Sequence, residues 1–241
     1  MKKLLLLGLA LAAVSAAFAF PTVTGTSGGI LVPSSDVSNG VTIATTNFAD
    51  FDDDDFQFPP TVLLYGKDAF EIGAGYAGES FYNEDAFSWS VFGKWVLPVA
   101  LGPAKLAAGA EYRTDDDDYH TSFLYLTGTM PVFSSSKLTL TALHTDDSYY
   151  DENKFTFMAN LEKTLESGAA VGLEWYWGLP GVLDFSSEFN DASNAGKPQG
   201  AAYITYPVDD QLSLRLGISG IVLNTEDEGD NAWVLGAAYT L

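Results

Sequence analysis

From Phe70 to Tyr76 the chain alternates without a break: Phe70, Ile72, Ala74 and Tyr76 are apolar, and Glu71, Gly73 and Gly75 between them are charged or small. The same period of two recurs along the chain. Phe87, Trp89, Val91, Trp95 and Leu97 alternate with Ser88, Ser90 and Lys94; Leu106, Ala108, Ala110 and Tyr112 with Lys105, Glu111 and Arg113; Phe155, Phe157, Ala159 and Leu161 with Lys154, Thr156, Asn160 and Glu162. Val171, Leu173, Trp175 and Trp177 oppose Gly172 and Glu174, and Leu212, Leu214, Leu216 and Ile218 oppose Ser213, Arg215, Gly217 and Ser219. Successive side chains of a strand point to opposite faces, so this period predicts β-strands with one apolar and one polar face. Two all-β architectures satisfy it. A soluble sandwich turns the apolar face inward, whereas a transmembrane barrel turns it out to lipid and fills its lumen with small and polar residues. Periodicity alone does not separate them.

Four features favour the barrel. Trp233-Val234-Leu235-Gly236-Ala237-Ala238-Tyr239-Thr240-Leu241 alternates to the last residue, and its Gly236-x-x-Tyr239-x-Leu241 spacing resembles the terminal assembly signal of outer-membrane barrels. Lys2 and Lys3, the apolar run Leu4 to Val14 and the small-residue site Ala17-x-Ala19 read as a cleaved export leader over residues 1–19. No later run is long and apolar enough for a membrane helix, and there is no Cys for a disulfide framework. Tyr76, Phe87, Tyr112, Trp175, Trp177, Phe189, Tyr206 and Tyr239 fall near strand ends, where interfacial aromatic girdles belong.

The charge is confined to particular segments. Losing Lys2 and Lys3 with the leader takes the formal net charge from −21 to −23. The acids come in bursts at Asp50 to Asp55, Glu79 to Asp85, Asp115 to Asp118, Asp146 to Glu152 and Glu226 to Asp230, with a polar insert at Asn190 to Gln199. Short turns intervene at Tyr65 to Asp68, Pro98 to Pro103, Pro131 to Ser136 and Pro207 to Asp210. Barrels carry long loops at one rim and short turns at the other, so six long loops predict about twelve antiparallel strands in a single domain over 20–241. The stretch 155–189 holds three apolar pieces, with turn candidates at Glu166-Ser167-Gly168 and Leu179-Pro180-Gly181, and widens the range to ten to fourteen.

In a barrel the lumen would be lined by Glu71, Lys94, Lys105, Glu111, Arg113, Glu162, Glu174, Asp184, Glu188 and Arg215. Acids outnumber bases six to four in that set, which favours cations if the lumen is open. Eight strands leave a filled barrel and sixteen a channel, so twelve permits either. The runs Asp52, Asp53, Asp54, Asp55 and Asp115, Asp116, Asp117, Asp118 offer hard oxygen ligands to a divalent cation, although none has EF-hand spacing and such runs are usually solvated. His120 and His144 lie near acidic segments, an arrangement open to a rim-site hydrolase or to simple surface residues. No nucleophile elbow, zinc helix or phosphate loop is present, no cofactor is implied, and the expected class is not an enzyme. The acidity excludes nucleic acid as a partner.

The segment Gly28-Gly29-Ile30-Leu31-Val32-Pro33-Ser34-Ser35, followed by Gly40 at a strand start, resembles the Gly-x-x-x-x-Pro-Thr/Ser-Ala/Ser opening of YjbH-like barrels associated with exopolysaccharide. Gly172-Leu173-Glu174 and Leu183-x-x-x-x-Glu188-Phe189-Asn190 are similar to the repeated hairpins of that group. The resemblance implies an outer-membrane barrel linked to envelope polysaccharide and supplies no catalytic residue. The resulting expectation is a porin-like or structural barrel in the outer membrane of a diderm bacterium, with acidic loops outside. Its partners would be outer-membrane lipid and the barrel assembly machinery, with divalent cations or polysaccharide as further candidates.

Overall fold

The computed structural model describes residues 20–22, 25–50, 61–77, 88–115, 119–149, 151–179, 198–222 and 232–241. The alternating segments form twelve strands: β1 (Gly40–Asp50), β2 (Thr61–Lys67), β3 (Phe70–Ala77), β4 (Ser88–Leu101), β5 (Ala104–Asp115), β6 (His120–Phe133), β7 (Ser136–Asp147), β8 (Glu152–Thr164), β9 (Ala170–Trp177), β10 (Gln199–Pro207), β11 (Leu212–Val222) and β12 (Ala232–Thr240). Each pairs antiparallel with its neighbours in sequence, and β1 pairs with β12 from Thr42↔Thr240 to Asp50↔Ala232, closing the sheet. Closure leaves no unpaired edge, which is the condition for strands to lie in lipid.

Burial decides between the two architectures. Along β4, Ser88, Ser90 and Lys94 are buried while Trp89, Val91 and Trp95 are exposed. On β9, Gly172 and Glu174 are buried and Leu173, Trp175 and Trp177 exposed. The polar face is therefore inside and the apolar face outside, the reverse of a soluble core. Such a surface is stable only against hydrocarbon, so the fold is an outer-membrane-type barrel. Tyr76, Tyr112, Trp175, Trp177, Tyr206 and Tyr239 all face outward; Phe87 and Phe189 lie outside the described residues.

The ambiguity at 155–189 resolves at Leu165 to Ala169, where the backbone turns tightly between β8 and β9 through Leu165 N to Ala169 O and Gly168 N to Leu165 O. One hairpin, β8–β9, thus lies between the connections that follow β7 and β9. The apolar piece 182–189, with Pro180, Gly181, Asp184 and Glu188, lies outside the described residues, as does the expected leader 1–19. Tight turns also join β2 to β3, β4 to β5, β6 to β7 and β10 to β11, all at one rim. Gly102 sits at φ +62° in the two-residue turn before Pro103, a left-handed conformation that glycine adopts without cost. Register shifts occur between Val96 and Ala100 and between Pro131 and Phe133. Pro98 and Pro131 carry no N–H for the ladder, so these irregularities fall at strand ends beside the short-turn rim.

Candidate functional site

The lumen is the site, and it is occupied by the chain itself. The described residues before β1, 20–22 and 25–38, lie inside the barrel, where Phe20, Ile30, Leu31 and Val32 are fully buried. The backbone bonds within the segment are local: the bridges Pro21↔Ser27 and Gly28↔Pro33, with Thr22 N to Thr26 O, Gly28 N to Phe20 O and Ser34 N to Ser27 O. Inward side chains of the wall grip this small folded unit at three places.

At the first, Glu71 on β3 faces Lys94 on β4 in register. Their ion pair is 2.8 Å long and wholly buried. The carboxylate accepts Ser27 Oγ (2.6 Å), Ser27 N (3.1 Å) and Ser38 N, and Lys94 Nζ donates to Ser27 Oγ (2.7 Å) and to the carbonyl of Asp36. A buried charge is tolerable only when paired and fully hydrogen-bonded, and both partners meet that condition through the segment.

At the second, Glu174 on β9 receives Ile30 N (2.8 Å), Leu31 N (3.0 Å) and the Tyr176 hydroxyl. Arg215 on β11 donates to the carbonyls of Gly29 (2.5 Å) and Gly28 (3.1 Å) and to Thr205 Oγ1 (2.9 Å). Its guanidinium lies over the rings of Phe20 (4.2 Å) and Tyr203 (4.5 Å). A Cβ on Gly29 would stand 1.6 Å from a Glu174 oxygen, so only glycine lets the backbone approach this closely.

At the third, Lys137 on β7 bridges Asp36 (2.8 Å) and Glu162 (3.0 Å). Thr127 and Thr141 hydroxyls both donate to the Pro33 carbonyl, at 2.8 and 3.1 Å, and Ser35 N donates to Thr129 Oγ1 at 3.0 Å.

The sequence-predicted luminal residues thus divide. Glu71, Lys94, Glu162, Glu174 and Arg215 are gathered around the segment. Glu111 and Arg113 pair with each other at 3.2 Å, and Arg113 also lies over the Phe123 ring. Lys105 shares the inward register of β5 but stands exposed near the short-turn rim. Asp184 and Glu188 lie outside the described residues. Two inward cations were missing from the expected set, Lys137 and Lys154. With them, bases at least match acids among the described inward residues, a set that does not include Asp184 and Glu188.

Sequence reasoning also missed the inward aromatics Phe92, Phe123, Tyr125, Tyr176 and Tyr203. The available signal was glycine. Gly73 faces Phe92, Gly109 faces Tyr125, and Gly172 and Gly217 both face Tyr203 across neighbouring strands. The rings of Phe92, Tyr125 and Tyr203 occupy the space left by Gly73, Gly109 and Gly172, with an added Cβ 2.1 Å from Tyr203 at Gly172 and 2.2 Å from Tyr125 at Gly109.

Among the described residues the rim-hydrolase arrangement is not assembled. His120 stacks on Tyr112, and His144 packs against Phe155 and bonds Asn153 at 3.0 Å, both on the outer face. Asp147 points inward to Thr121 Oγ1 at 2.5 Å. His144 pairs with Leu124, four residues along β6 from His120, or roughly 13 Å at the rise of a strand. Asp52 to Asp55 and Asp116 to Asp118 lie outside the described residues, and only the backbone of Asp115 is described, at the end of β5. No group of three metal-type ligands occurs among the described residues.

No family model matches the chain, and no curated protein does. Solved structures do. The chain is similar to the KdgM porin at 11% identity with a TM-score of 0.60, covering 83% of this chain and 99% of that one. The outer membrane protein Omp33 of Acinetobacter baumannii matches at 11% identity and a TM-score of 0.54, over 84% of this chain and 98% of that one. The NanC porin matches at 9% identity and a TM-score of 0.54, over 83% and 100%. At such identities the likeness is one of fold: a closed, twelve-strand, antiparallel barrel of the outer-membrane type.

Proposed function

We propose that the protein is a porin-like channel in the outer membrane of a diderm bacterium, passing small polar solutes when its lumen is vacated. The observation that carries this reading is the inner wall. A purely structural barrel of this size could be packed with apolar side chains, yet here charged residues line the lumen on β3, β4, β5, β7, β8, β9 and β11. Water would readily replace the segment's hydrogen bonds to such a wall. The porins of similar fold support the reading. The test is liposome swelling and bilayer conductance with a variant lacking residues 20–38. Neutral sugars should enter, and the reversal potential in asymmetric salt should show weak ion preference, since inward bases offset inward acids. A folded variant that passes neither sugar nor ions would leave a structural envelope barrel instead.

The YjbH-like resemblance bears on the solute. The run that carries it, Gly28 to Ser35, is the part of the chain that fills the lumen. A link to envelope polysaccharide would therefore be expressed inside the channel. Exopolysaccharide fragments should block single-channel current through the shortened variant at lower concentrations than neutral sugars of equal size.

A further inference from the structure

The geometry points to residues 20–38 as a gate: a self-contained plug that leaves the lumen through the short-turn rim, pivoting about Asn39 and Gly40. This inference rests on the channel reading above. Three observations carry it. First, among the described residues, no backbone-to-backbone bond ties the segment to a wall strand. Its backbone bonds close on itself, and the wall holds it through side chains alone. It can therefore depart as a unit while all twelve ladders stay intact.

Second, the exit is defined. Ser38 passes so close to Gly66 that a Cβ there would lie 2.2 Å from the Ser38 carbonyl oxygen. Gly66 is one residue from the β2–β3 turn, so the segment enters at the short-turn rim. Gly40, at φ +92°, then turns the chain into β1. A left-handed glycine at the junction of a plug and its wall is where the backbone can change direction at least cost.

Third, the grip is electrostatic and reversible. Glu71 and Lys94 pair at 2.8 Å, and these two together with Glu174 and Arg215 hold the segment's N–H and C=O groups. Water can take those bonds over when the segment leaves, and Glu71 and Lys94 keep each other as partners.

The chain has no Cys, which allows a clean lock. Ser35→Cys with Thr129→Cys would join segment to wall where Ser35 N and Thr129 Oγ1 are 3.0 Å apart. The experiment records single channels from full-length protein. The unmodified chain should be mostly closed with brief openings. Glu174→Gln removes the charge from two hydrogen bonds to the segment and should raise the open fraction about tenfold or more. In that background the oxidised cysteine pair should abolish openings, and reductant should restore them. Openings that persist through a cross-link verified by mass would overturn the gate. So would a full-length chain that conducts steadily at the level of the variant lacking 20–38. A correctly folded shortened variant that never conducts would overturn the channel reading itself. If the shortened variant does not fold, the locked and Glu174→Gln proteins alone decide.

Discussion

At the scale of the residue, position on the wall determines what a substitution does. Leu216 is 47% exposed at the middle of β11, between Ile204 and Leu235 on its neighbours, and faces hydrocarbon. An Arg at the bilayer midplane costs about 2–4 kcal/mol. Leu216→Arg should therefore lower the fraction that runs as folded, heat-modifiable barrel, and Leu216→Phe should not. Inside, the arithmetic differs. Lys94→Met leaves Glu71 buried without its cation, a loss expected at about 3–5 kcal/mol. Adding Glu71→Gln should recover part of it, and the comparison is made by thermal unfolding in detergent. If the double variant is no more stable than the single, the pair is not the unit that matters there. The histidines belong to this scale too. His120 and His144 read as a possible site because they lie near acids in sequence, but alternation sends Asp147 to the other face.

At the scale of the element, the strands were legible and what they enclose was not. Each strand announces itself through its own residues: Ser88 to Lys94 shows the inward face whatever lies opposite. Strand count followed from the alternation of acidic segments and tight turns. The luminal aromatics were hidden because the rule of small and polar inside is an average. The Tyr203 ring has room only because Gly172 lies opposite, on a strand whose pairing the sequence does not state. Residues 20–38 were hidden for a related reason. The segment has no periodicity of its own, and its partners are wall residues 94 to 187 positions away in the case of Thr129 and Arg215. Glycine substitutions test the packing directly. Gly172→Ala and Gly109→Ala would drive a methyl into a tyrosine ring and should cost about 1–3 kcal/mol as overpacking. Gly93→Ala, whose nearest neighbour would be 3.5 Å away on the outer face, should be nearly neutral. Unfolding temperatures of the three variants check this.

At the scale of the molecule, connectivity fixes sidedness. The connections after β1, β3, β5, β7, β9 and β11 all leave one rim, opposite the rim that carries the tight turns and the C-terminus. The acidic runs Asp52–Asp55 and Asp115–Asp118 fall in those connections. With the loops outside the cell, an epitope inserted at 52–55 should be labelled on intact cells, and one at Ser134-Ser135 only after the membrane is breached. Divalent binding by these runs is proposed on charge alone. Millimolar Ca²⁺ should raise the unfolding temperature more than Na⁺ at equal ionic strength, and changing Asp52–Asp55 to Asn should remove the difference. Equal effects of the two ions would mean that the rim is only solvated charge.

The place of Phe20 has a consequence for the order of biogenesis. Its ring packs with Ala44 on β1 and Ala238 on β12, directly behind the pairing that closes the cylinder. Those two strands come from opposite ends of the sequence and meet last if the hairpins form in order. A segment already seated presents an apolar surface for both strands to zip onto. The segment would then act in biogenesis as a mandrel for the seam, and lesions in it would be seen first as slow closure, before any change in the finished protein.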